Sequence, residues 1–256
     1  MKHKISIAVF LLFTIAFVSC KKNTYKVVER TSNEGAAQVK LGYFSAYTVT
    51  PNTILYINDV AVSNTLAAPV SFPGGGLNMG GLSNGDYLYV TPGTVKIQGF
   101  RPVPGTGNIM TKLFEFSQAF NANTNYTFYI TDTAANTAGF SIEDGKVKPD
   151  SGFARFKFVN AMPTGAVDLY KGTNNTTATL FQANIAYKGV SANFDLPVPV
   201  VDSFFIRPAG DPATNAPMAR RAFALTNQRI YTMLARGYKG STLATLAPNL
   251  SVIINQ

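Results

Sequence analysis

The 256-residue chain carries 22 lysines and arginines against 13 aspartates and glutamates, a formal net charge of +9. The basic residues are spread out, with no run longer than Lys21-Lys22 or Arg220-Arg221, so the charge does not indicate a nucleic-acid partner. The single cysteine excludes an intrachain disulfide, and the single histidine is His3. The fold must therefore be held together by burial alone.

Residues 1–19 have the pattern of a secretory signal peptide. Two lysines within Met1–Lys4 precede an almost wholly apolar run, Ile5–Val18, which ends at Ser19 and Cys20. The run is shorter than the ~20 residues that a membrane-spanning helix needs. An uncleaved membrane anchor is the alternative, and the position of Cys20 favours cleavage.

The run Phe17-Val18-Ser19-Cys20 resembles the lipobox of bacterial lipoproteins. The resemblance implies that Cys20 receives a diacylglyceryl group, that the chain is cut before it, and that the protein is anchored to a membrane of the cell envelope. Two or more acyl chains hold a protein firmly, whereas a single one binds only marginally. The resemblance places the protein at the outer membrane or elsewhere in the envelope, and Lys21 and Lys22 favour the periplasmic side over the cell surface.

Cys20–Ala36 is polar and mixed in charge, and it is typical of a tether between lipid and fold. Short runs of β-branched and aromatic residues then alternate with clusters of Gly, Pro, Asn and Asp, a pattern that predicts strands. In Ala154–Phe158 the charged residues alternate with rings, which predicts a half-buried antiparallel strand. The predicted strands are Val39–Phe44, Ile54–Ile57, Thr94–Phe100, Lys112–Phe116, Tyr126–Thr131, Phe140–Ile142, Phe153–Val159, Val167–Tyr170, Asn193–Leu196, Ser203–Arg207, Arg221–Leu225, Ile230–Arg236 and Leu250–Ile254.

An internal repeat organises these strands. Ala37–Ala46 parallels Ala154–Ala161, and the segment that contains Tyr126-Thr127 parallels the segment that contains Tyr231-Thr232. Each copy has the length of an ordinary domain. We predict two β-sandwich domains in tandem, residues 37–147 and 152–256, with a polar joint near Gly145–Gly152. A single large barrel is the alternative, which the repeat makes less attractive.

The second copy carries a family resemblance. Ala154–Pro163, Val167–Tyr170 and Asn184–Ser191 together are similar to the opening of the family known as domain of unknown function 4397. The resemblance covers the second half of the chain well and the first half loosely, since Ser45-Ala46-Tyr47 and a glycine-rich insertion depart from it. It implies tandem immunoglobulin-like antiparallel sandwiches in an envelope lipoprotein, and it supplies no catalytic residues.

Removal of residues 1–19 would leave a chain without histidine. Ser-His-Asp and Cys-His catalysis, haem and iron–sulfur ligation and the usual zinc sites are then excluded. A glycosidase that uses a carboxylate pair is the remaining enzyme alternative. We predict a protein that is not an enzyme and that needs no cofactor. Glu143, Asp144 and Asp150 cluster in the sequence and could bind calcium, but their spacing matches no calcium loop, so a solvated acidic corner is favoured.

The glycine-rich insertion Gly74–Gly81 lacks the ending of a phosphate-binding loop. Its apolar residues Leu77 and Met79, with Tyr87 and Tyr89 after it, are candidates for contact with a ligand or partner, although packing at the domain edge is favoured. Asp132-Thr133-Ala134 resembles an O-glycosylation signal of some bacterial envelopes, which makes Thr133 a candidate.

Two classes of function remain open. The first is a non-catalytic binding or structural module for adhesion or assembly, with an unknown protein or glycan partner. The second is capture of a glycan or small ligand for an uptake system, although the absence of tryptophan counts against stacked aromatic platforms. Fold class alone does not decide between them.

Overall fold

The computed structural model describes residues 34–45, 52–74, 77–78, 85–106, 109–133, 136–241 and 243–256. The predicted signal peptide, Cys20 and most of the tether lie outside these ranges. Residues 34–256 belong to one compact unit. Every named element in the described ranges is a β-strand, which confirms the all-β prediction.

The described residues of the first half form nine strands. Their bounds are β1 Ala37–Tyr43, β2 Ile54–Ile57, β3 Val60–Ala61, β4 Val70–Phe72, β5 Leu88–Val90, β6 Gly93–Pro102, β7 Met110–Phe120, β8 Asn125–Thr131 and β9 Ala138–Asp144. One sheet has the order β4-β1-β8-β9, with β5 also paired to β1, and the other has the order β3-β2-β6-β7.

Eight strands are formed by the part of the second half that the structure describes. Their bounds are β10 Phe153–Asn160, β11 Val167–Gly172, β12 Thr179–Ile185, β13 Phe194–Pro197, β14 Ser203–Pro208, β15 Ala219–Ala222, β16 Ile230–Arg236 and β17 Asn249–Ile254. One sheet has the order β13-β10-β16-β17, and the other has the order β12-β11-β14-β15. All thirteen predicted runs overlap observed strands.

The repeat seen in the sequence is a repeat of topology. In the first half β1 pairs with β8 in parallel, and in the second half β10 pairs with β16 in parallel. The remaining pairings are antiparallel. The wholly antiparallel prediction for the run 154–158 is therefore corrected, because β10 has an antiparallel neighbour in β13 and a parallel one in β16.

Each half has its own hydrophobic core between its two sheets. Val39 and Phe128 from β1 and β8 pack against Ile97 from β6 in the first half. Phe156 and Met233 pack in the same way with other apolar side chains of the second half. Two sheets that enclose one core form a β-sandwich, which agrees with the predicted fold. That each half folds on its own stays a prediction.

A tyrosine near the start of a strand repeats as well. The Tyr126 hydroxyl accepts a hydrogen bond from the Asn121 N–H (3.4 Å), and the Tyr231 hydroxyl accepts one from the Thr226 N–H (3.0 Å). Each bond reaches back five residues. This is the arrangement of the tyrosine corner in immunoglobulin-like sandwiches, where the ring closes the core and the hydroxyl holds the preceding turn.

A third apolar cluster lies between the halves. It contains Phe44, Tyr129, Val159, Leu234 and Ile253, which come from β1–β8–β9 and from β10–β16–β17 or the residues next to them. The sheets that contain β8 and β16 therefore face each other, and we call them the inner sheets. Because both faces of an inner sheet are covered, all seven residues of β8 and of β16 are buried.

Among the residues that the structure describes, none forms a helix of the length and apolarity required to span a bilayer.

Candidate functional site

The polar part of the surface between the halves is built around the carboxylate of Asp144, at the end of β9. We call the group the Asp144 cluster. Its members are Lys40, Tyr87, Thr127, Asp144, Lys157, Thr232 and Asn255.

Both oxygens of Asp144 accept hydrogen bonds from protein groups. Oδ2 accepts from the Thr127 hydroxyl (2.7 Å) and from the Tyr87 hydroxyl (3.0 Å). Oδ1 accepts from the Asn255 amide (2.9 Å) and lies 3.7 Å from the Lys157 ammonium. Burial raises the pKa of Asp144, and the positive charges of Lys157 and Lys40 act against that shift.

Two lysines approach this one carboxylate from opposite halves. Lys40 on β1 donates to the Ile254 carbonyl (2.5 Å), and its ammonium lies 4.3 Å from the centroid of the Tyr87 ring. Burial lowers the pKa of Lys40 to about 8, although Asp144 and Asp86 favour its charged form. Lys157 on β10 donates to the Glu143 carbonyl, and burial likewise lowers its pKa against the pull of Asp144.

Tyr87 of the cluster and Tyr129 of the adjacent apolar cluster are held in their neutral form. Burial, with the nearby Asp144 charge, raises the pKa of Tyr87 and of Tyr129 well above the usual range. Tyr87 is therefore a hydrogen-bond donor to Asp144 at physiological pH. Buried charges are tolerated when they are paired and hydrogen-bonded, as they are here. The chemistry of the cluster is that of a contact that joins the two halves.

A cleft opens beside the cluster, between β9 of the first half and the segment 190–193 of the second. Its volume is about 460 Å³, within the usual range of ligand pockets. Its lining residues are Ser141, Ile142, Glu143, Asp144, Gly145, Lys157, Val190, Ser191, Ala192 and Asn193. The mixture of hydroxyl, amide and carboxylate groups suits a polar ligand rather than an apolar one.

The structure brings two of the four predicted contact residues into the surface between the halves. Leu77 forms an isolated bridge with Ile253 and packs on the apolar cluster, and the next residue, Asn78, exchanges hydrogen bonds with Val252. Tyr87 belongs to the Asp144 cluster. Leu77 therefore contacts the second half of the same chain, whereas Tyr87 contacts Lys40 and Asp144 of its own half.

The other predicted site residues either do not belong to the surface between the halves or lie outside the described ranges. Tyr89 on β5 is 45% exposed and available to a partner, but it does not line the cleft. Met79 lies outside the described residues, as does Cys20. Thr133 is partly exposed, and its N–H donates to the Asp132 side chain (2.7 Å); its O-glycosylation stays a prediction.

The three acidic residues near the joint do not converge. Asp144 is buried and bonded to protein donors, whereas Glu143 and Asp150 are exposed. Within the described ranges no group of three His, Cys, Asp or Glu side chains is placed to hold a metal ion. The favoured prediction of a solvated corner is therefore wrong for Asp144, because the second half covers it.

Sequence reasoning missed Lys40, Lys157 and Asn255 as members of a site. A signal was present in the repeat, which aligns Val39-Lys40-Leu41 with Phe156-Lys157-Phe158. A second signal was β8, in which seven consecutive residues carry no charge, as expected for a strand covered on both faces. Together these patterns could have indicated that the lysines face protein rather than solvent.

A scan of known protein families finds no family that matches this chain, and a search of curated proteins finds no match either.

Proposed function

We propose that the chain is a membrane-anchored envelope lipoprotein of the tandem immunoglobulin-like kind, which acts as a non-catalytic binding or structural module in adhesion or assembly. The observation that carries the proposal is the Asp144 cluster. Its buried carboxylate and two buried lysines hold the halves together, so the most perturbed ionisable groups serve architecture. A body of two joined sandwiches suits the presentation of loops and edges to a partner.

The anchoring part of the proposal rests on the run Phe17–Cys20. Cells that express the chain should incorporate radiolabelled palmitate into it and retain it in the membrane fraction. Cys20→Ala should abolish the label and leave the signal peptide uncleaved, because the acceptor thiol is gone. Lys22→Ala is the matched control and should be labelled as the wild type is. Equal labelling of Cys20→Ala would disprove lipidation at this residue.

The non-catalytic part is tested with the purified protein on a panel of polysaccharides and glycosides. We expect no turnover, because the cleft offers one free carboxylate, Glu143, while the oxygens of the neighbouring Asp144 are bonded to protein donors, so no carboxylate pair is available. Turnover that disappears in Glu143→Gln, with Glu115→Gln as the control on the outer sheet, would instead establish a hydrolase that uses the cleft.

A second candidate function is capture of a glycan or another small polar ligand, and the cleft favours it. Ser141, Glu143 and Asn193 supply donors and acceptors of the kind that bind hydroxyl groups. A glycan-array screen followed by calorimetric titration tests this function. Asn193→Ala should weaken binding about tenfold, the loss of roughly one hydrogen bond, whereas the exposed Asn64→Ala should not. An affinity that is unchanged in Asn193→Ala would show that the ligand binds outside the cleft.

A further inference from the structure

Gly35 and Ala36, just before β1, lie close to the joint between the two halves. The Gly35 N–H donates to the Asn123 side chain (3.2 Å), and the Asn123 N–H donates to the Ala36 carbonyl (3.1 Å). Lys146, at the start of the joint, donates to the Asn123 carbonyl. The first described residues, the turn between β7 and β8 and the joint therefore lie together, and we call this region the entry end.

Strands of the second half reach the same end. Phe153, the first residue of β10, pairs with Pro197, the last residue of β13. The Val198 N–H donates to the Gly152 carbonyl (2.8 Å), so the loop 198–202 starts beside the joint. The entry end thus combines surface from both halves.

The two most exposed large apolar side chains among the described residues lie at this end. Val201 is 83% exposed and Val147 is 73% exposed, and Phe153 is partly exposed nearby. The Val147 carbonyl accepts a hydrogen bond from Arg155 (3.1 Å), which fixes the backbone while the side chain points outward. Exposed apolar side chains that stand together mark interaction surfaces more often than scattered ones do.

Lysines flank the apolar tip. The joint reads Lys146-Val147-Lys148, and both lysines are exposed. The exposed acidic residues at this end are Glu34, Asp150 and Asp195, of which Asp195 is paired with Arg155. An apolar side chain between two lysines suits the boundary of a bilayer, because the apolar group can enter the head-group region while the ammonium groups stay at the phosphates.

The covalent chain limits where this end can be. Thirteen residues lie between Cys20 and Glu34, which allows a span of at most about 50 Å. Between the entry end and the opposite end of the first half, β7 extends over eleven residues, or roughly 36 Å. The segment that leads back to Cys20 leaves the body next to Gly35, which belongs to the entry end.

We propose that the entry end rests on the bilayer, with Val147, Val201 and Phe153 in the head-group region and Lys146 and Lys148 on anionic phosphates. The inference depends on the proposed lipidation of Cys20, and it adds a second, non-covalent contact that fixes the orientation of the body. The partly exposed Tyr89 and the cleft would then be displayed at a fixed height above the lipid.

The test uses the full lipidated protein in vesicles of phosphatidylcholine and phosphatidylglycerol. Cys20 is the only natural cysteine, and lipidation blocks its thiol, so a cysteine introduced as Val147→Cys is the single labelling site. Ile109→Cys is the matched control, because Ile109 is 60% exposed and lies beside the other end of β7. Each variant carries an environment-sensitive fluorophore, and lipids with a brominated chain serve as the quencher.

We expect quenching at position 147 to exceed quenching at position 109 at least threefold. Lys148→Glu should lower the quenching at 147 on anionic vesicles, whereas the same charge change at the opposite end, Lys239→Glu, should not. Equal quenching at 147 and 109 would overturn the inference. A blue-shifted signal at 147 without quenching by lipid would also overturn it, because a protein partner or second copy would then cover this end.

Flotation separates the two proposals. If the labelled protein floats with vesicles and position 147 is not quenched, the result supports the lipid anchor and disproves the contact of the entry end with the membrane. If the protein does not float, the proposed lipidation fails and the contact falls with it.

Discussion

Across the surface between the halves, the first half presents Lys40, Thr127 and Asp144, and the second half presents Lys157, Thr232 and Asn255. These are equivalent positions in the repeat. Lys40 pairs with Thr127, which pairs with Ile142, and Lys157 pairs with Thr232, which pairs with Ile253. Asp144 lies two residues after Ile142, and Asn255 lies two residues after Ile253. Equivalent strands thus contact each other, as the protomers of an isologous dimer do.

The difference between the halves lies where equivalent residues meet. The Asn255 amide donates directly to Asp144, and two carboxylates at that distance would repel each other. The apolar part differs in size: Phe44 and Tyr129 of the first half correspond to Ala161 and Leu234 of the second. The equivalent faces of two repeats can therefore be buried against each other when the side chains that meet differ in charge and in volume between the two copies.

Asp144→Asn tests the charged side of this comparison and has the largest expected effect. The substitution leaves Lys40 and Lys157 buried without a carboxylate, and removal of one partner from a buried ionic group costs about 3–5 kcal/mol. Urea denaturation followed by circular dichroism measures the free energy of unfolding. The exposed Asp150→Asn is the control and should stay within about 0.5 kcal/mol of the wild type. Similar small losses for both variants would show that the cluster does not join the halves.

The pH dependence of stability is the next effect in size. Because burial lowers the pKa of Lys40 to about 8, the folded state binds fewer protons than the unfolded state between about pH 8 and the ordinary lysine value. Stability should therefore rise with pH across this window, by about 3 kcal/mol at the limit. Lys157, whose pKa is also lowered by burial, adds in the same direction.

Above about pH 10 the sign reverses, because the raised pKa values of Tyr87 and Tyr129 leave the folded state with more protons than the unfolded state. The wild type should be most stable near that pH. In Lys40→Met the rise from pH 8 should shrink, whereas Lys239→Met, which changes an exposed lysine, should keep it. A wild-type profile that is flat from pH 8 to 10 would contradict the burial of a charged lysine between the halves.

Much of this architecture was predictable from the sequence, whereas the contact between the halves was not. Alternation and turn residues gave the strands, and the repeat gave two copies. The charged face of β10 was expected to be solvated, yet Lys157 is buried. A strand face with lysine, threonine and small residues has the composition of a solvent-facing surface. That such a face is buried becomes visible only when the sheet that covers it is known. The short β3, β4 and β5 were missed because each has at most three residues, and the seven-residue β12 was missed as well.

Gly85→Ala tests the contact between the halves at a residue that closely follows the glycine-rich insertion Gly74–Gly81. A Cβ at position 85 would lie 2.0 Å from the Ile254 carbonyl oxygen and 2.7 Å from the Lys40 ammonium. The backbone of β17 cannot yield easily, so we expect a loss of about 1–3 kcal/mol in the free energy of unfolding. Gly74→Ala, at the start of that insertion and with no atom within 4 Å of its Cβ, is the control. Equal effects would mean that the chain at Gly85 does not press on the second half.

The smallest expected effect concerns a neutral contact between the halves, the hydrogen bond between the Thr131 and Tyr187 hydroxyls (2.8 Å). Tyr187→Phe removes one partner of a partly buried bond, which costs about 0.5–1.5 kcal/mol. A double-mutant cycle with Thr131→Val isolates the coupling between the two side chains, and Tyr238→Phe on an exposed loop serves as the control. A coupling above about 3 kcal/mol would place this bond on a par with the Asp144 cluster. The halves would then be held by distributed polar contacts rather than by one charged centre where their equivalent residues meet.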